Sequence, residues 1–189
     1  MDVSIQALTK YVGGHSDLLL GTVSVRDEAA YERVGPVHRL LGLAVSPDDC
    51  ALALRGLETL AVRLDALQRS TLAVATWLKE QPDVALVLHP AFPDCPGHEI
   101  WTRQFTGSAS VFSVVFAEGW NAVDVARFVD ALRLFRIGYS WGGTTSLVMA
   151  YPAPGSNARW YGSRLVRLNV GLEATEDLIG DLQQALAVR

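Results

Sequence analysis

Cysteine is almost missing from this sequence: Cys50 and Cys95 stand alone, with no CxxC pair and no Cys/His metal spacing. That excludes a disulfide framework and a cysteine-based zinc site, leaving two structural thiols. Basic charge is scarce too. The formal net charge is -4 and no lysine or arginine run stands out, which argues against nucleic acid as a partner. Apolar runs such as LVLHPAF and SVFSVVF are too short to span a bilayer, and no basic stretch leads into an apolar one at the N-terminus. No membrane partner and a cytoplasmic location are the expectations. The histidines His38, His89 and His98 lack ligand spacing, so no metal is expected. Gly142 and Gly143 sit in neither a GxGxxG nor a Walker pattern and read as a tight turn.

What is present is apolar material: half the residues are hydrophobic and only 19% are charged, enough for a substantial core. Residues 17–25, DLLLGTVSV, read as a buried strand because their apolar residues are nearly continuous. A helical tendency follows, interrupted at Pro36. SPDD then places Ser46 as an N-cap with Pro47 at the first helical position. From Leu57 the positions Leu60, Leu64, Leu67, Thr71, Val74 and Leu78 mark one long amphipathic helix ending near Gln81 and Pro82, its stripe facing the core.

Farther on, VALVLHP, SVFSVVF, SLVMAYP and RLVRLNV read as strands. A helix capped by Asn121 carries Val125, Val129 and Leu132 on one face, and ATEDLIGDLQQALA closes the chain as a helix with acids in its first turn. Short connections favour an α+β layer, a mainly antiparallel sheet with helices on one face.

By itself Lys10 is either a solvated surface lysine or an amine poised for Schiff-base chemistry. Its neighbours are Thr9, Tyr11 and the turn Gly13, Gly14, His15, Ser16, before an apolar run. The surrounding segment, D-V-x3-A-L-T-K-Y-V-G-G-H-S, resembles the cofactor-attachment segment of the Cys/Met-metabolism enzymes, the cystathionine β-lyase and γ-synthase group of fold-type-I pyridoxal-phosphate proteins. RGLETL (55–60) is similar to that family's RGLKTL. HPAFPDCPGHEIWTRQFTGSASVFSVVF, YSWGGTTSL and RLVRLNVGLEATEDLIGDL resemble further family segments in the expected order, across nearly the whole chain.

The resemblance implies pyridoxal 5′-phosphate as cofactor, with Lys10 as its covalent anchor and as the base for the α-proton, and Thr9 donating towards the phosphate. It implies Arg167 as the fork that grips the substrate α-carboxylate, with Ser140 beside it, and Tyr139 and Trp141 lining the substrate pocket. Without the resemblance Arg167 is an ordinary strand arginine and Trp141 a core tryptophan in a turn. YSWGG is the tryptophan version of a motif that the γ-acting relatives commonly carry with leucine. The implied reaction is C–S β-elimination of L-cystathionine to homocysteine, pyruvate and ammonia, in methionine biosynthesis and transsulfuration, with γ-synthase or γ-lyase chemistry as an alternative.

The implied fold is α/β, the C-terminal part of a fold-type-I pyridoxal-phosphate-dependent transferase, with residues 1–57 the end of the cofactor-binding domain and 58–189 the small domain. Two departures fall inside the motifs: Leu8 stands where a small residue is usual, and Thr145 replaces a common acidic residue. The family's phosphate loop, its ring-stacking aromatic and the aspartate that pairs with the pyridine nitrogen are not among these segments. The expected partners are therefore a small cystathionine-like thioether substrate and either a homo-oligomer or a missing N-terminal half. A non-catalytic remnant that associates with that half is the competing reading.

Overall fold

A computed structural model describes residues 1–151 and 161–188. The chain divides into two compact units, Met1–Ala61 and Val62–Arg189.

In the first unit, β1 (Val3–Ala7) pairs antiparallel with β2 (Gly21–Val25), in register from Val3 opposite Val25 to Ala7 opposite Gly21. β1 is too short and too polar to stand out in the sequence. β2 departs from expectation: residues 17–20 lie outside it, and Val23 is 50% exposed. A strand is buried on both faces only when layers cover both, and β2 has a single strand partner among the described residues. Leu18, in the preceding loop, is the residue that is buried.

Helix α1 (Glu28–Leu40) is capped by Asp27, whose Oδ1 accepts from the Ala30 N–H at 3.0 Å, and it runs through Pro36 without interruption. Proline withholds one N–H and crowds the carbonyl four residues back. α1 has no buried residue, so water can satisfy that carbonyl. Helix α2 (Pro47–Glu58) starts as expected, with Ser46 Oγ accepting from the Asp48 and Asp49 N–H groups at 3.1 and 3.2 Å.

The single long helix expected from Leu57 is two helices. α2 stops at Glu58, and α3 (Leu60–Lys79) follows Thr59. The Thr59 N–H and Oγ1 both donate to the Gly56 carbonyl at 3.3 Å, drawing the chain into a tighter turn there. Leu57 is consequently exposed, while Leu67, Thr71, Val74 and Leu78 form the buried stripe.

The second unit is built on a five-stranded sheet of β3 (Val84–Leu88), β4 (Val111–Phe116), β5 (Arg136–Ile137), β6 (Leu147–Ala150) and β7 (Leu165–Asn169) in the order β3-β4-β7-β6-β5. Every pairing is antiparallel except β5 with β6. Pro152, within the SLVMAYP segment, lies outside the described residues. Helix α5 (Ala122–Ala131) opens on a capping box between Asn121 and Asp124, and Leu132 is its C-cap rather than part of its face. Helix α6 (Thr175–Leu186) carries Glu176 and Asp177 in its first turn. Helix α4 (His98–Gln104), which follows Gly97 at φ +85°, was not expected from the sequence.

Strand alternation sorts the sheet's side chains. Val87, Phe112, Val114, Phe116, Val148, Val166 and Leu168 point to one face and pack with Val74 and Leu78 of α3, Val125 and Phe128 of α5, and Leu178 and Leu182 of α6. Helices on one face of a mainly antiparallel sheet is the expected layer. Arg167, between Val166 and Leu168, stands on the opposite face, cross-strand from Ser113 and Met149. Among the described residues no helix is long and apolar enough to cross a membrane.

Candidate active site

Lys10 lies on the loop joining β1 to β2. Thr9 pins the base of that loop one step beyond the last ladder pair: its N–H and its Oγ1 each donate to the Leu20 carbonyl at 3.1 Å, and Oγ1 accepts from the Leu20 N–H at 2.9 Å. The Thr9 hydroxyl proton is thus committed to Leu20, so a phosphate contact requires it to turn away. Past Thr9 the chain coils tightly, with the Gly13 N–H on the Leu8 carbonyl at 2.7 Å and the Gly14 N–H on the Lys10 carbonyl at 2.8 Å. His15 organises the turn by donating from Nδ1 to the Gly13 carbonyl at 2.7 Å. Gly14 takes φ +71°, a region closed to most side chains.

The RGLETL segment explains itself here. Arg55 pairs with Asp17 on the loop at 2.8 Å. A methyl group at Gly56 would lie 2.6 Å from the Gly13 carbonyl oxygen and closer still to that of Val12, so α2 meets the Lys10 loop backbone to backbone. Sequence spacing gave no sign of this contact, because its partners lie some forty residues apart.

The sequence holds two lysines, and the structure separates them. Lys79 is held by Asp94 at 2.7 and 2.8 Å and sits 4.6 Å from the Phe92 ring centroid. Lys10 is half-buried on its pinned loop.

In the second unit the structure brings Ser140, Trp141 and Arg167 together. Arg167 Nη2 donates to the carbonyls of Gly138 and Ser140 at 3.1 Å each, and its guanidinium lies 5.8 Å from the Trp141 ring centroid. Its Nε is buried and has no hydrogen-bond partner. A buried cationic donor without a partner is costly unless an acceptor arrives, which suits a carboxylate. Ser140 contributes a backbone carbonyl to this contact. Tyr139 is 72% exposed and Trp141 is 37% exposed.

Residues that the sequence reading missed hold this loop. Asn169 Oδ1 accepts from the Gly142 N–H at 3.2 Å, with Gly142 at φ +81°, and Glu173 takes the Ser146 N–H at 2.7 Å. A polar residue closing an apolar strand was the available signal for Asn169.

Two hollows lie elsewhere. A cavity of about 660 Å³ in the second unit is lined by Gln68, His89, Trp101, Phe105 and Ser108 among others, and a groove of about 630 Å³ in the first runs between β2 and α1. Neither is lined by Lys10, Thr9 or the residues around Arg167. His89 is fully buried, its Nδ1 accepting from the Ala91 N–H at 3.2 Å, and burial pushes its pKa down.

The family model described as Cys/Met metabolism PLP-dependent enzyme matches residues 1–187. The chain belongs to that family. It is 47% identical to cystathionine beta-lyase of Bordetella avium over 189 residues, covering 97% of this chain and 47% of that protein. To cystathionine beta-lyase MetC of Escherichia coli it is 43% identical over 194 residues, covering 99% and 48%. Among solved structures it is similar to cystathionine gamma synthase from Xanthomonas oryzae pv. oryzae, with a TM-score of 0.89, 35% identity, and coverage of 98% of this chain and 50% of that one. The chain spans about half the length of the curated relatives it matches.

Membership of the Cys/Met-metabolism family implies pyridoxal 5′-phosphate. The residues here fit the part of its binding that needs an amine: Lys10 is half-buried on a loop closed at its base by Thr9 and Leu20.

Proposed function

We propose that this chain is the amine-bearing and carboxylate-binding half of a pyridoxal-phosphate-dependent C–S lyase acting by β-elimination on cystathionine or a closely similar thioether amino acid. The observation that carries the reading is the half-buried Arg167, whose buried Nε has no hydrogen-bond partner and whose guanidinium faces Trp141 on the sheet face away from the helices. Residues 1–57 are the end of the cofactor domain and 58–189 the small domain.

When bound, pyridoxal phosphate withdraws electrons from the substrate α-carbon and so makes its proton acidic. Lys10 holds the cofactor between turnovers, and its amine accepts that proton. Thr9 serves Lys10 by fixing the base of its loop. Arg167 orients the substrate by its α-carboxylate, and Trp141 walls the pocket and excludes water beside it. The balance is cystathionine and water to homocysteine, pyruvate and ammonia. Further copies of the chain, or the half of the fold that the relatives carry beyond this match, complete the site.

A second reading, γ-elimination or replacement, is favoured by the similarity to cystathionine gamma synthase. The remnant reading, association without catalysis, is the third. One experiment separates them. The chain is incubated with pyridoxal phosphate and reduced with borohydride, the adduct is mapped by mass spectrometry, and products from cystathionine are identified. The expected result is label on Lys10 and not Lys79, with pyruvate and homocysteine formed. Cysteine and 2-oxobutanoate would instead establish γ-cleavage. Label on Lys79, or no label and no turnover, would sink the catalytic reading of this chain.

A further inference from the structure

The segment 138–146, which carries Ser140 and Trp141, has no regular secondary structure, yet its backbone is held at successive points by one short stretch of chain. Alternate residues from β7 onwards do the holding. Arg167 takes the Gly138 and Ser140 carbonyls. Asn169, fully buried, takes the Gly142 N–H and donates Nδ2 to the Thr145 carbonyl at 3.4 Å. The Gly171 N–H donates to Ser146 Oγ at 2.8 Å, and a side chain at Gly171 would collide with the Thr144 carbonyl. Glu173 closes the series: Oε1 accepts from the Ser146 N–H at 2.7 Å and Oε2 from Ser146 Oγ at 2.8 Å. Arg167 and Asn169 share a face because β7 alternates, and past the strand the chain stays on the loop, the Leu172 N–H donating to the Thr144 carbonyl at 2.7 Å.

We propose that Glu173, acting through the buried Ser146, is a positioning residue for the carboxylate subsite. Both oxygens of an ionised carboxylate are committed to one serine, and charge-assisted bonds of this kind are about twice as strong as neutral ones. Arg167 and Glu173 belong to the same stretch of chain and grip the two ends of the loop. The anchor at Ser146 therefore sets where Trp141 and the Ser140 carbonyl stand relative to the guanidinium. With the anchor lost, the Ser146 end of the loop keeps the Gly171 N–H on Ser146 Oγ, the Leu172 N–H on the Thr144 carbonyl at 2.7 Å and the Arg136 N–H on the Ser146 carbonyl at 3.0 Å. It no longer has the carboxylate that fixes both the amide and the hydroxyl of Ser146, and the loop stands less firmly against the guanidinium. The inference rests on the reading of Arg167 as the carboxylate receptor.

The test uses the full chain labelled with ¹⁵N. Loop anchoring is read from amide hydrogen exchange at residues 142–146, and carboxylate binding from the Trp141 indole signal, assigned with Trp141→Phe, as L-cystathionine is added. In Glu173→Ala, exchange in the loop is expected to rise at least about tenfold with β7 unchanged, and cystathionine to bind about tenfold more weakly. Glu173→Gln, which keeps an acceptor for the Ser146 N–H, is expected to fall between. Loop exchange unchanged in Glu173→Ala would overturn the inference. Faster exchange with unchanged affinity would overturn the positioning role. If Glu173→Ala fails to fold, Glu173→Gln decides on the same two readouts. No indole response in the unmodified chain would overturn the carboxylate reading itself, and the inference with it.

Discussion

Arg167 donates from Nη2 to the Ser140 carbonyl at 3.1 Å, and the second hydrogen on that nitrogen goes to the Gly138 carbonyl at the same distance. One terminal nitrogen of the fork is therefore saturated by the loop. A bidentate carboxylate, which pairs Nη2 with either Nε or Nη1, must therefore displace a loop carbonyl from Nη2. Lysine has one nitrogen and no planar fork, so it cannot hold the loop and the substrate together. Arg167→Lys is expected to weaken cystathionine binding roughly 10- to 100-fold. A dissociation constant within threefold of the parent would refute this.

Gly56 and Gly180 make opposite predictions for the same substitution. At Gly56 a methyl group meets the backbone oxygens of Val12 and Gly13, and backbone cannot swing aside. Gly56→Ala is expected to destabilise the first unit by about 1–3 kcal/mol. Gly180, within α6, has nothing within 4 Å of an added Cβ, so Gly180→Ala is expected to stabilise by about 0.5–1 kcal/mol. Urea midpoints measure both, and equal signs would refute the packing account.

Thr9→Val keeps the side-chain shape while removing the hydroxyl that bonds Leu20 in both directions. The Leu20 amide then loses its acceptor, and its hydrogen exchange is expected to accelerate by about an order of magnitude. Unaltered protection at Leu20 would show that the loop base is held by something else.

Burial holds the His89 imidazole below its usual value of about 6.5. The folded state therefore binds this proton less readily than the unfolded chain. The stability from neutral His89 is full above about pH 6.5 and is lost as pH falls below it towards the folded value. His89→Asn keeps an acceptor for the Ala91 N–H and does not titrate. The difference in urea midpoint between parent and variant is expected to shrink from pH 7.5 to pH 5. A difference independent of pH would mean that His89 does not titrate on unfolding.

Much of this molecule was legible without coordinates. The caps at Ser46 and Asn121, the buried stripe from Leu67 to Leu78 and the closing helix are local patterns, read from spacing and side-chain type. Family membership and the attention drawn to Lys10 and Arg167 follow from ordered motifs, which a single chain displays in full. The run at 17–25 misled because continuous apolar character says nothing about which layers cover a strand, and here one strand partner left Val23 half in solvent.

The sequence by itself determined the layer and the family and drew attention to Lys10 and Arg167, since each depends on residue type at short range or on motif order. Only the tertiary structure decided what holds those side chains. Gly56 matters through Val12, Arg55 through Asp17, Asn169 through Gly142 and Glu173 through Ser146. Each pair is more than twenty residues apart in the chain, and whether two such residues meet is set by how layers and loops pack, which no local pattern encodes.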